Sequence, residues 1–151
     1  MEGVTLTFDH LGGAVDPLEQ RFAEPGRIAA ARTPGKNPWL RLTNHSTRVI
    51  SFRTFSTYLK QPVEWFDLGN GNKVIALEDN MEIALPAGVE SRRGSRIYLG
   101  FGGDMFWISH LPPGRSVVFS VPPAALKRHR KVFVEFDDAV TPGRSYRVYL
   151  E

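Results

Sequence analysis

Polar and apolar residues alternate along "VTLTFDH". Val4, Leu6 and Phe8 fall on one face, and Thr5, Thr7 and Asp9 on the other. A period of two predicts a half-buried strand. From Trp39 onward the same pattern returns repeatedly. "WLRLTN" buries Leu40 and Leu42 and shows Arg41 and Thr43. "RVISFRTFSTYL" is β-branched or aromatic throughout and predicts one long strand. "VEWFDLGNGNKVIAL" predicts a hairpin closed by a two-residue Asn70-Gly71 turn, a pair that tolerates the positive φ such turns need. "MEIALPAG" is a short strand stopped by Pro86. "RIYLGFGG" and "MFWISHL" flank Gly102-Gly103-Asp104 and predict another hairpin. "SVVFSV" places Val117, Phe119 and Val121 inward. "KVFVEFDD" does the same with Val132, Val134 and Phe136, and "SYRVYLE" with Tyr146, Val148 and Leu150.

Two segments break the rhythm. Residues 12–38 are a long connection. Within it Asp16 is a fitting N-cap and Pro17 a fitting first helical residue, so a short helix is expected over 17–23. "PAALKRHR" predicts one helical turn. Short strands at regular spacing, divided by Pro and Gly, indicate an all-β sandwich or barrel. The expected architecture is an immunoglobulin-like β-sandwich of about nine antiparallel strands, formed by residues 1–151 as a single domain.

Three stretches resemble a known class. "WLRLTNHSTRVISF" is similar to an early hairpin of immunoglobulin-like sandwiches in bacterial surface and accessory proteins. "LPPGRSVVFSVP" resembles the entry to a later strand of that class. "TPGRSYRVYL" is similar to the tyrosine-corner stretch of fibronectin type III domains. The last resemblance implies that Tyr146 is the corner tyrosine, with its hydroxyl bonded to nearby backbone. The order Asn-His-Ser, Ile, Phe, Tyr, then Trp and "LPPG", also resembles small bacterial intracellular proteinase inhibitors. That likeness implies inhibition through an exposed loop. A shared sandwich implies no particular chemistry.

Composition narrows the chemistry. The chain has 42% hydrophobic and 23% charged residues, with 10 Phe, 4 Tyr and 3 Trp. Those proportions suit a folded domain with a sizeable core. With no cysteine, disulfides, thiolate metal sites and a cysteine nucleophile are excluded. No apolar run reaches the ~20 residues of a membrane helix. No signal-peptide pattern precedes Val4, which fits a cytosolic protein or, the reading we lean to, an exported or envelope domain whose signal is absent from this sequence.

The net charge of +3 is unevenly placed. Glu64, Asp67, Glu78, Asp79, Glu82 and Glu90 crowd residues 62–90, beside only Lys73. Arg92, Arg93, Arg96, Arg115, Lys127, Arg128, Arg130 and Lys131 crowd residues 91–131, beside only Asp104. Such asymmetry can steer a partner or form two solvated edges of opposite sign.

Candidate reactive groups are sparse. His10, His45, His110 and His129 show no ligand spacing, so no metal or other cofactor is expected. Neighbouring His45 and Ser46 diverge in a strand or turn, and no G-x-S-x-G flanks a serine. Glu135 and Asp137 share a solvated face and are expected to pair with Arg144 or Arg147. Asp67, Asn70 and Asn72 in "DLGNGN" faintly match a calcium loop, but Asn-Gly already accounts for a turn there. Asn44-His45-Ser46 fits the glycosylation sequon and also fits a strand reversal.

The function expected is therefore a non-catalytic binding or interaction module, its partner another protein. One alternative is a proteinase inhibitor. The other is binding of an acidic polymer through Arg92, Arg93, Arg96, Lys127, Arg128, Arg130 and Lys131. No aromatic residue interleaves "LKRHRK", so no specific nucleic-acid motif is read there.

Overall fold

A computed structural model describes residues 1–12, 37–54, 64–68, 71–83, 85–99, 107–127, 130–141 and 143–151. The predicted helix over 17–23 lies outside them, as does Arg128. The described residues form twelve strands. They are β1 (Val4–Leu11), β2 (Pro38–Asn44), β3 (Ile50–Thr54), β4 (Glu64–Asp67), β5 (Lys73–Ala76) and β6 (Met81–Glu82). After these come β7 (Ala87–Ser91), β8 (Arg96–Leu99), β9 (Trp107–Leu111), β10 (Ser116–Ser120), β11 (Arg130–Asp138) and β12 (Ser145–Tyr149). A 3-10 turn at Pro123–Leu126 supplies the expected helical turn before β11.

The strands make two sheets around one core. The first has the order β1-β2-β10-β6. The second runs β4-β5-β9-β3-β11-β7-β8, with β12 on β11. Leu6, Leu40, Leu42, Val117 and Phe119 of the first sheet meet Ile50, Phe52, Val89, Val132, Val134 and Phe136 of the second. The all-β sandwich read from the alternation is therefore what forms.

Its pairing is not wholly antiparallel. β6 lies parallel to β10, β5 parallel to β9, and Leu6 bridges Leu150 in parallel. Through that bridge the end of the chain touches the first sheet, where Glu151 N–H donates to the Leu6 carbonyl at 3.1 Å.

Strand β11 organises the second sheet. Phe133 has both Tyr149 and Gly88 as Cα partners, and Asp137 has both Ser145 and Ser51. Since β12 lies along one edge throughout, β7 and β3 share the other edge, end to end. Residues alternate along β11 as predicted, with Val132, Val134 and Phe136 inward.

Several expectations change. β8 and β9 are not hairpin partners: β8 pairs with β7, and β9 with β3 and β5. The strand after Pro86 is β7, unpredicted because "AGVES" opens on two small residues. In the β4–β5 hairpin, Leu68 N–H donates to the Asn72 carbonyl at 3.0 Å. Gly71 takes φ 84°, and Asn70, the other residue of the expected turn, lies outside the described residues. Of the long strand expected from Arg48, Ile50–Thr54 form β3, and residues 55–59 lie outside the described residues. Phe8 is exposed, beside an irregularity in the β1–β2 ladder between Phe8 and His10. Tyr146 lies within β12, stacked on Phe136 with centroids 5.7 Å apart. No hydrogen bond of its hydroxyl is found among the described residues, and Pro142, in the segment that precedes it, lies outside them.

Candidate basic site at the sheet end

Hairpin β7–β8 turns through Arg92-Arg93-Gly94. Ser91 N–H donates to the Ser95 carbonyl at 2.8 Å, Gly94 N–H to the Ser91 carbonyl at 2.9 Å, and Ser95 N–H to Ser91 Oγ at 3.1 Å. Gly94 has φ 87° with open space around it, a conformation that favours glycine. The bend is thus closed by its own backbone, leaving Arg92 and Arg93 exposed.

The ladder then brings in bases from far along the chain. Arg130 lies opposite Ser91, and Lys131 opposite Glu90. Glu90 in turn faces Arg96, whose Nε approaches its carboxylate to 3.3 Å. The 3-10 turn is anchored by fully buried Ala125 and delivers Lys127 to the same end. Arg130 N–H donates to the Lys127 carbonyl at 3.2 Å. Six of the seven predicted bases are therefore gathered: Arg92, Arg93, Arg96, Lys127, Arg130 and Lys131. Among the described residues only Arg96 of these has an ion-pair carboxylate, Glu90.

Beside this end, the outer face of the second sheet carries aromatics. Phe133 points outward from β11 yet is 0% exposed. It nestles over Gly88 and is covered by Tyr98, Tyr149 and Arg147, whose ring or guanidinium centres lie 5.7, 6.1 and 5.7 Å away. Tyr98 is 50% exposed. Its hydroxyl donates to Glu135 Oε1 at 2.7 Å, and Arg147 Nε donates to the same oxygen at 3.0 Å. The Glu135 hydrogen bond holds the Tyr98 phenol in its protonated form, above its ordinary range. Glu135 thus pairs with Arg147, as expected, whereas Arg144 lies over the Tyr146 ring.

A second polar cluster lies on the first sheet, around Arg41. Its Nε donates to Asp9 Oδ1 at 2.9 Å, and its Nη1 to Asn80 Oδ1 and Ser116 Oγ at 2.5 Å each. Asp79 Oδ1 accepts from Ser116 N–H at 2.8 Å. Asn80 takes φ 63°, rare outside glycine, and its N–H donates to the Ser116 carbonyl at 2.7 Å. His10 Nδ1 lies 2.6 Å from Asp9 Oδ2, with its ring stacked on Trp39. Regular alternation would send Asp9 and His10 to opposite faces, and the ladder irregularity beside them accompanies their meeting. Arg41 and His10 hold Asp9 below the usual carboxylate range. The nearest hydroxyl in the cluster, Ser116, is engaged by Arg41 and Asp79. The cluster therefore ties the turn before β6 to β2 and β10.

The remaining sequence candidates are local. Ser46 Oγ donates to Asn44 Oδ1 at 2.6 Å, and exposed His45 engages Gly3 through its backbone N–H. No group of three or more metal-ligating side chains occurs among the described residues. No described helix is long and apolar enough to cross a membrane.

His110 differs from these. Its Nδ1 is buried with no hydrogen-bond partner among the described residues. Burial lowers its pKa from 6.5, opposed by a backbone contact with Ile75. The unfolded chain therefore binds a proton first as pH falls through 6.5, and the fold loses stability from there down to the folded value. We expect the denaturation midpoint to fall between about pH 7.5 and 5.5, and His110→Phe to lose that part of the slope. Equal slopes in the two proteins would show that His110 does not titrate as its burial requires.

No family model matches this chain, and no curated protein or solved structure matches it.

Proposed function

We propose that this protein is a non-catalytic binding module that holds an acidic polymer at the basic end of its larger sheet. The observation that carries the reading is the β7–β11 register, which sets Arg130 and Lys131 beside the Arg92-Arg93 bend. Bases remote in sequence meet at one end of the sheet, with Lys131 and Arg96 on the outer face and Arg130 on the opposite face. Among the described residues only Arg96 of them has an ion-pair carboxylate, Glu90. Arginine forks suit repeated carboxylate, sulfate or phosphate groups. Clustered charge of one sign also speeds encounter with a polyanion.

The finer fold reading is an immunoglobulin-like sandwich. Sheet β1-β2-β10 facing β12-β11-β3 supports it, as do the 3-10 turn between β10 and β11 and the parallel Leu6–Leu150 bridge. In that frame the basic bend belongs to strands inserted between β3 and β10.

Heparin chromatography tests the binding reading. The native chain is expected to be retained. A variant with Arg92→Ala, Arg93→Ala and Arg130→Ala is expected to elute at markedly lower salt, with an unchanged melting temperature. Equal retention of the two proteins overturns the assignment.

A further inference from the structure

We propose that the polymer is an acidic polysaccharide, whose sugar rings stack on Tyr98 while its anionic groups meet the neighbouring bases. The inference rests on the binding function above and adds the chemical class of its ligand.

The ladder sets the geometry. Arg96 and Tyr98 lie two residues apart on β8 and so share a face, about 7 Å apart along the strand. Across the sheet, Arg96 is in register with Glu90 and Lys131, and Tyr98 with Gly88 and Phe133. The next outward positions are Glu135 and Arg147, which are mutual partners. Beyond the Arg92-Arg93 bend the outer face therefore reads Arg96 with Glu90 and Lys131, then Tyr98, then Glu135 with Arg147. Gly88 contributes no side chain between Tyr98 and Phe133. Edge-to-face contact with Phe133 and the hydroxyl bond to Glu135 fix the Tyr98 ring, though half its surface stays open.

Three features of this face match a charged sugar. A pyranose has an apolar C–H face that can lie on an exposed aromatic ring, which presents an apolar body with a polar tip. Its hydroxyls donate hydrogen bonds, and Glu90 and Glu135 are acceptors among the bases. Its carboxylates or sulfates suit Arg96, Lys131 and Arg147. Nucleic acid could use the ring and the bases too. Yet a deoxyribose-phosphate backbone offers no hydroxyl donors to Glu90 and Glu135. Hydroxyl donors between charges turn those same carboxylates into contacts.

Titration calorimetry with a heparin-derived octasaccharide and with oligothymidylate of matched charge, at one salt concentration, tests this. The octasaccharide is expected to bind more tightly. Tyr98→Ala is expected to weaken it by about tenfold without changing its salt dependence. Tyr98→Phe keeps the ring and is expected to bind within about twofold of the native chain. Thermal melts of both variants confirm folding. Native affinity in Tyr98→Ala, with loss only when Arg92, Arg93 and Arg130 are replaced, overturns the stacking and leaves the basic site intact. Tighter binding of oligothymidylate, lost in Tyr98→Ala, overturns the polysaccharide in favour of single-stranded nucleic acid. Loss of neither ligand in the triple variant removes the site itself.

Discussion

Asn44→Ala destabilises the protein by about 3 kcal/mol, and Asn44→Asp by more. Asn44 ends β2 and is 0% exposed. Its Nδ2 donates to the Leu111 carbonyl at 2.9 Å and the Arg48 carbonyl at 2.7 Å. Its Oδ1 accepts from Ser46 N–H at 3.0 Å and from Ser46 Oγ at 2.6 Å. Its main chain continues the linkage, with N–H donating to the Arg115 carbonyl and carbonyl accepting from Gly114 N–H. One side chain thus ties the β2–β3 turn to the end of β9, joining the two sheets. Alanine leaves two carbonyls and an N–H short of a partner. Aspartate keeps the acceptor but sets a carboxylate against two carbonyls. Chemical denaturation measures both losses, with an unchanged m-value marking a pure stability effect. A loss below about 1 kcal/mol for both variants would refute this role.

The same geometry decides the sequon. Both donor hydrogens of the Asn44 amide are engaged in the interior, so the folded chain does not present it as a glycan acceptor. Arg48 adds to the turn, its Nε lying 2.7 Å from Asp138, which is 2% exposed at the end of β11.

Gly88→Ala costs about 2–3 kcal/mol. Gly88 sits in β7 between Phe133 and Tyr98. A Cβ there would lie 2.5 Å from Phe133 Cζ and 2.9 Å from the Ile97 backbone oxygen. The phenyl ring can be trimmed, but the carbonyl is fixed by the β7–β8 ladder. Phe133→Leu is therefore expected to offset part of the Gly88→Ala cost, making the pair less than additive by about 1 kcal/mol. Denaturation of the two single variants and the double variant closes the cycle. Full additivity would mean that the ring does not fill the space left by Gly88.

These two residues show what the amino-acid pattern could and could not reveal. Leu40 and Leu42, or Val132, Val134 and Phe136, declare their inward face through alternation alone. That pattern suffices for the class, because period two is a local property of the chain. The absence of a side chain at Gly88 has meaning only against Phe133, which lies 45 positions later. Without that partner, "AGVES" reads as a weak strand. The false β8–β9 hairpin has a related cause. Two glycines suggest a turn, but partner choice depends on edges that local sequence does not describe.

The candidate site was half legible. Charge counting found its bases, whereas only the β11 register brings Arg130 and Lys131 beside Arg92 and Arg93. Tyr98 was within reach, since alternation already sets it on the face of Arg96. Its place beside the bases needs the β8–β7–β11 ladder, because no aromatic lies within "LKRHRK" itself. The Asp9–His10–Arg41 cluster was not legible, because it accompanies a break in the β1–β2 ladder that regular alternation does not foresee.

The salt dependence of heparin binding tests the central claim most directly. If the basic end holds the polymer, log K falls steeply with log salt. Removing Arg92, Arg93 and Arg130 together lowers that slope by about 2, taking roughly 0.7 for each charge lost. An unchanged slope in the triple variant, or native binding that ignores salt, would contradict the account.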